Sequence, residues 1–118
     1  MSALRPSQER PDRLSMLSVI IPARDEEHAI AETVGAVHTV LRRHKVPHEI
    51  VVVDDGSHDG TWGVLTTLQD RLPLLRALRN PGPHGFGRAV LCGLERMGGD
   101  AAVIMMADAS DDPTETVR

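Results

Sequence analysis

The chain has 118 residues, 41% hydrophobic and 25% charged with a formal net charge of −4, which fits one soluble globular domain with its own core. The acidic balance excludes a general nucleic-acid binder, and two aromatic residues, Trp62 and Phe86, are too few for a base-stacking platform. A single cysteine excludes an internal disulfide and fits a reducing cytosol, and no apolar run reaches the roughly 18 residues that span a bilayer.

Residues 1–16, with Arg5, Pro6, Glu9, Arg10 and Pro11, lack the apolar centre of a signal peptide and read as a disordered lead-in to a domain over 17–118. Leu17 to Ile21 form a short β-branched run, the first strand. Ile30, Val34, Val37 and Leu41 recur at helical spacing and predict a helix from about Glu26 to Lys45, ended by Pro47. Ile50 to Val53 make the second strand. His58-Asp59-Gly60-Thr61 opens a second helix whose buried stripe is Trp62, Leu65, Leu68 and Leu72, and Pro73 closes it. A third strand is predicted over Leu74 to Leu78, a turn-rich loop over Asn80 to Gly87, and a third helix over Arg88 to Met97, stopped by Gly98-Gly99. Cys92, beside Val90, Leu94 and Met97, reads as a small core residue. Ala101 to Met106 are the fourth strand.

The order β-α-β-α-β-α-β with short connections predicts an α/β, Rossmann-like, doubly wound and mostly parallel sheet. Asp112-Pro113-Thr114-Glu115 then starts a helix that has only three further residues, so the domain reads as truncated after the fourth strand.

Each long apolar run ends in polar residues: Pro22-Ala23-Arg24-Asp25-Glu26, Asp54-Asp55-Gly56-Ser57 and Asp108-Ala109-Ser110-Asp111-Asp112. In a parallel sheet these clusters share the carboxyl edge, where ligands bind. Asp59 or Ser57 suffices to cap the second helix, which leaves the adjacent Asp54 and Asp55 as candidates for a ligand. A carboxylate there accepts the N–H of a uracil or guanine edge, and a bidentate acceptor suits such an edge. Asp108 is placed to share a hard cation with substrate phosphates. Gly85-Phe86-Gly87-Arg88 leads into a helix and is suited to contact phosphate, but neither GxGxxG after the first strand nor a P-loop is present. The histidines His28, His38, His44, His48, His58 and His84 have no cysteine partners and no metal-site spacing.

With these motifs the chain resembles the amino-terminal half of a family 2 glycosyltransferase with the GT-A fold, and within it the polyprenyl- or dolichyl-phosphate mannose and glucose synthase group. Ser18-Val19-Ile20-Ile21-Pro22-Ala23-Arg24-Asp25-Glu26-Glu27 is similar to the family's opening strand with its Pro-x-x-Asn-Glu signature. Glu49 to Thr61 is similar to its second-strand motif, and His84-Gly85-Phe86-Gly87-Arg88-Ala89 to the loop before its third helix. The resemblance implies transfer of a hexose, with inversion, from a nucleotide-diphosphate sugar to an acceptor such as a polyprenyl phosphate, at the cytoplasmic face of a membrane.

It also implies roles. Pro22, Arg24 and Glu26 would line the nucleotide pocket, Val53 and Asp55 would contact base and ribose, and Asp108 would hold the metal–diphosphate. The full expected nucleotide-sugar set is Pro22, Ala23, Arg24, Glu26, Val53, Asp54, Asp55, Gly85, Arg88, Ala107 and Asp108, with Asp108 and Ser110 as ligands of Mg²⁺ or Mn²⁺. Asp25 stands where asparagine is usual. Met106 stands where the family has the first aspartate of its metal motif, and a thioether does not replace a carboxylate for a hard cation. Either Asp108 works with Ser110, Asp111 and solvent, or the metal is held weakly. The catalytic base, in the family, lies in the later half of the domain, beyond Arg118, and any membrane association is expected there too. Two other readings compete: a non-catalytic nucleotide-binding domain, and a nucleotidyltransferase of related fold. The latter wants a basic, glycine-rich loop after the first strand, which Arg24-Asp25-Glu26-Glu27 is not.

Overall fold

The computed structural model describes residues 15–107. The elements run β1 (Leu17–Ala23), α1 (Ile30–Arg43), β2 (His48–Asp54), α2 (Thr61–Arg71), β3 (Leu75–Arg79), α3 (Phe86–Arg96) and β4 (Ala101–Ile104). Four strands form one sheet in the order β3-β2-β1-β4, and every pair is parallel. The predicted helix start at Asp112 and the predicted lead-in up to Leu14 lie outside the described residues. Ser15 and Met16, the end of that lead-in, are tied down: both backbone N–H groups donate to the Asp100 carboxylate at 2.9 Å.

The central strands are apolar because both faces are covered. Val19, Ile21 and Ala23 of β1 and Ile50 and Val52 of β2 face α1 and α2, meeting Ile30, Val34, Val37, Leu41 and Leu65. Ile20, Val51 and Val53 face the other way, onto Ala89 and the half-buried Cys92 of α3. Gly93 lets α3 lie close, since a Cβ there would come within 2.6 Å of Ile20 Cγ2. In α2 only Leu65 of the predicted stripe is fully buried, with Trp62, Leu68 and Leu72 packed at the margin.

Boundaries differ from the sequence reading where distant groups intervene. Helix α1 begins at Ile30 rather than Glu26, and the amides just before it are bonded to another loop. Asp25 N–H donates to Ser57 Oγ (2.9 Å), Glu26 N–H to Thr61 Oγ1 (2.8 Å) and Glu27 N–H to Asp59 Oδ2 (3.3 Å). Its C-terminus turns through Lys45 at φ 58°, with Val46 N–H reaching back to the Leu41 carbonyl. Strand β3 is displaced by one residue, to Leu75–Arg79. Strand β4 ends at Ile104, after which Met105 N–H makes one more bond, to the Ile20 carbonyl.

Two of the histidines with no sequence-level role meet in space. His48 Nδ1 lies 2.7 Å from the Val46 carbonyl and so carries its proton there, leaving Nε2 to accept from His38 Nδ1 at 3.1 Å. Burial first, then the neighbouring His48 and Arg42, hold His38 below the usual histidine range.

Candidate functional site

The strand order changes direction between β1 and β4: from β1 the chain steps outward to β2 and β3, then returns to place β4 on the other side. A crevice at such a switch is where doubly wound sheets bind ligands. A hollow of about 240 Å³ lies there, lined by Pro22, Ala23, Arg24, Glu26, Asp55, Gly85, Phe86, Met106 and Ala107. Three loops from the carboxyl edge therefore converge, together with the end of β4.

Each loop is held by identifiable bonds. The β1–α1 loop is stitched to the β2–α2 loop by the three amide bonds above and by Asp25, whose Oδ1 accepts from His58 N–H at 2.6 Å and Asp59 N–H at 3.3 Å. Asp25 sits at φ 54°, a conformation that aspartate and asparagine enter more readily than other residues with side chains. Asp59 accepts from Thr61 N–H at 2.9 Å, a turn just before α2, whose N-cap position is Gly60 rather than the expected Asp59 or Ser57. The end of β4 is fixed by Thr33 of α1, whose hydroxyl donates to the Ala107 carbonyl at 3.0 Å.

The two adjacent aspartates divide the work. Asp54, buried at the end of β2, accepts from Ser57 N–H at 3.1 Å and closes the turn. Asp55, 5% exposed, receives the β3–α3 loop. Its Oδ1 accepts from Asn80 Nδ2 at 2.8 Å and from His84 Nδ1 at 2.9 Å, and its Oδ2 accepts from Gly85 N–H at 2.8 Å. The His84 ring lies over Gly56, where a Cβ would come within 2.9 Å of it, so the turn at φ 79° also needs glycine to make room. Burial alone would raise the Asp55 pKa. The bonds from Asn80, Gly85 and His84 outweigh it and hold the carboxyl below its usual value.

Of the residues expected from the sequence, Pro22, Ala23, Arg24, Glu26, Asp55, Gly85 and Ala107 line the hollow. Three do not. Val53 is fully buried on the α3 face against Ile20 and Ala89, because alternation along β2 turns it away from the edge. Asp54 is spent on its turn. Arg88 lies one helical step past the loop and lines a separate groove of about 300 Å³ with Asn80, Pro83 and Glu95. Of the two Asp55 oxygens, Oδ1 already accepts from two protein donors, Asn80 and His84. Asp108 and Ser110 lie outside the described residues.

Asn80, His84 and Phe86 are the residues that sequence reasoning passed over as site components. Their loop was recognised, but the bonds of Asn80 and His84 to Asp55 span 25 and 29 positions and leave no local pattern. For a cation, the described residues do not fit: they contain no group of three His, Cys, Asp or Glu side chains suited to hold one, and Met106 brings a thioether to the rim.

The family described as glycosyl transferase family 2 matches the chain over residues 18–116. An undecaprenyl-phosphate 4-deoxy-4-formamido-L-arabinose transferase of Pseudomonas fluorescens is 31% identical over 113 residues, covering 92% of this chain and 32% of that protein. A dolichol-phosphate mannosyltransferase of Pyrococcus furiosus is 34% identical over 97 residues, covering 82% of this chain and 27% of that protein. Among solved structures, a mannosyltransferase of Pyrobaculum calidifontis in complex with GDP-Man and Mn²⁺ superposes with a TM-score of 0.70 at 26% identity, over 85% of this chain and 30% of that one. The chain thus spans under a third of the length of each of these proteins. A parallel sheet with its hollow at the β1–β4 switch, and a family match covering nearly all of the chain, lead to one conclusion: the chain belongs to glycosyl transferase family 2 and has the GT-A fold.

Proposed function

We propose that residues 17–118 are the donor-binding half of an inverting glycosyltransferase that moves a hexose from a nucleoside diphosphate to a polyprenyl phosphate or related acceptor. The observation that carries this is the hollow at the β1–β4 switch, with the ionised Asp55 and the Gly85 amide in its wall. An acid held ionised in a cleft, facing a loop at a helix start, is suited to take an N–H or O–H donor of the nucleoside. The lipid-phosphate acceptor is supported by the names of the two relatives. Such an acceptor puts the reaction at the cytoplasmic face of a membrane. No helix among the described residues is long and apolar enough to cross one.

Of the chain's own residues, Arg24 and Glu26 at the end of β1 and Asp55 at the end of β2 orient the nucleoside, while Ala107 continues β4 along the wall. Inversion requires a carboxylate base on the face of the sugar opposite the leaving group. Neither Asp54 nor Asp55 suits that task, since Asp54 closes its own turn and the Asp55 carboxylate already accepts from Asn80, His84 and Gly85. We assign the cation, Mg²⁺ or Mn²⁺, to Asp108 with Ser110; bound there, it would neutralise the diphosphate leaving group.

Calorimetry with UDP and GDP tests the donor reading directly. Saturable binding of at least one, in the presence of Mn²⁺, is expected, and no heat from either up to millimolar concentration would refute it. The cation assignment has its own test. Met106→Asp restores a carboxylate, and Mn²⁺ should then bind the nucleotide-loaded chain about tenfold more tightly, near 1.4 kcal/mol. An unchanged Mn²⁺ affinity would remove Asp108 from any metal site of this kind.

A further inference from the structure

Kinship leaves the base open, and the network around Asp55 narrows it. We infer that Asn80 and His84, by filling one oxygen of Asp55, make the hollow a site for a uridine diphosphate donor rather than a guanosine diphosphate donor. The inference rests on the donor reading above and goes beyond it, because it assigns the choice of base to two residues that touch the protein's own carboxylate.

The argument is a count of acceptor positions. An ionised carboxylate offers about four lone-pair positions, two on each oxygen. On Asp55, Oδ1 takes Asn80 Nδ2 and His84 Nδ1, and both of its positions are used. His84 Nδ1 must carry the hydrogen, since an ionised carboxylate only accepts. Oδ2 takes Gly85 N–H and keeps one position. Asp55 and Gly85 both line the hollow, so a ligand entering it meets this carboxylate with one acceptor position left.

The two bases differ in what they ask of it. Uracil presents one N–H, at N3, between two carbonyl oxygens. Guanine presents N1–H and the exocyclic amino group side by side, a pair that a carboxylate satisfies with both oxygens. Against Asp55 as it stands, uracil's single donor is fully met. Guanine's second donor would be desolvated against a filled oxygen, and a buried unpaired donor is what strong discrimination is built from. Asp54 does not step in, since it closes its own turn and is absent from the lining. Arg24, in the same lining, is a cationic donor that suits a carbonyl of either base, so the choice rests on Asp55. The depressed pKa of Asp55 agrees with a carboxylate that stays ionised, and so purely an acceptor, at neutral pH.

Competition calorimetry with UDP and GDP, in the presence of Mn²⁺, tests the inference. UDP should bind at least tenfold more tightly. His84→Ala vacates one position on Oδ1 and should narrow the UDP:GDP ratio several-fold. His84→Asn, which keeps a donor nitrogen at similar reach, should retain the preference. The ratio is the informative quantity, because general damage to the loop would weaken both ligands alike. Equal affinities in the unaltered chain, tighter GDP, or a ratio that His84→Ala leaves unchanged would each overturn the inference while the donor reading stands. If neither nucleotide binds, the donor reading falls and this inference falls with it.

Discussion

Asp55→Ala should weaken nucleoside diphosphate binding by about ten- to a hundredfold, corresponding to roughly 1.5–3 kcal/mol for one lost charge-assisted hydrogen bond. The substitution also removes the acceptor shared by Asn80, His84 and Gly85, so the wall of the hollow loses its anchor as well as its ligand contact. Calorimetry on the two proteins checks this, and equal affinities would show that Asp55 is neither contact nor anchor. The same carboxylate predicts a pH dependence. Its folded pKa lies below the ordinary aspartate value of about 3.9. The stabilisation it provides is therefore complete above that value and is lost as pH falls through the lower folded value. The Asp55 side-chain carboxyl carbon resonance, followed by NMR, should show its main transition in that acidic window. A main transition at or above the ordinary aspartate value would contradict the assignment.

Glu49→Ala should cost about 2–4 kcal/mol of folding stability, as expected when one partner of a buried polar network is removed. Glu49 lies at the opposite end of the sheet from the hollow and is 7% exposed. It accepts from Ser18 Oγ at 2.6 Å, Gly98 N–H at 2.6 Å and Arg76 Nη1 at 3.2 Å, and Ser18 Oγ in turn accepts from Gly99 N–H at 2.9 Å. These bonds seat the α3–β4 turn beneath β1. A Cβ on Gly99 would lie 2.5 Å from Ser18 Oγ, so the turn has no slack with which to rearrange. The Arg76 contact contributes least, because that side chain is 41% exposed and solvent screens it. Burial would raise the Glu49 pKa, but the Ser18, Gly98 and Arg76 bonds together bring it below the usual glutamate range. Its contribution, like that of Asp55, is present above the ordinary value and lost on acidification below it. For a domain of this size the loss amounts to a fall in Tm on the order of 10–20 °C. Urea unfolding of Glu49→Ala with a change below about 0.5 kcal/mol would show that the network adds nothing.

The amino-acid sequence by itself determined the element order, the parallel sheet and the family. Ile20, Val51 and Val53 and their neighbours are apolar because each strand is buried on both faces, and Ile30, Val34, Val37 and Leu41 mark one face of a helix; such signals are local and survive in the linear pattern. The motifs at Pro22–Glu27 and Asp54–Thr61 were legible for the same reason, being short runs attached to strand ends. Only the tertiary structure decided where α1 begins, which aspartate faces the hollow and how much of it remains available. The amides of residues 25–27 meet Ser57, Thr61 and Asp59 across more than thirty positions, and Asp55 meets Asn80, His84 and Gly85 across 25 to 30. A hydrogen bond between loops depends on where the sheet brings the strand ends, and neither propensity nor periodicity records that. So Asp55 looked like a carboxylate with both oxygens open to a ligand, whereas folding fills three of its acceptor positions and leaves one.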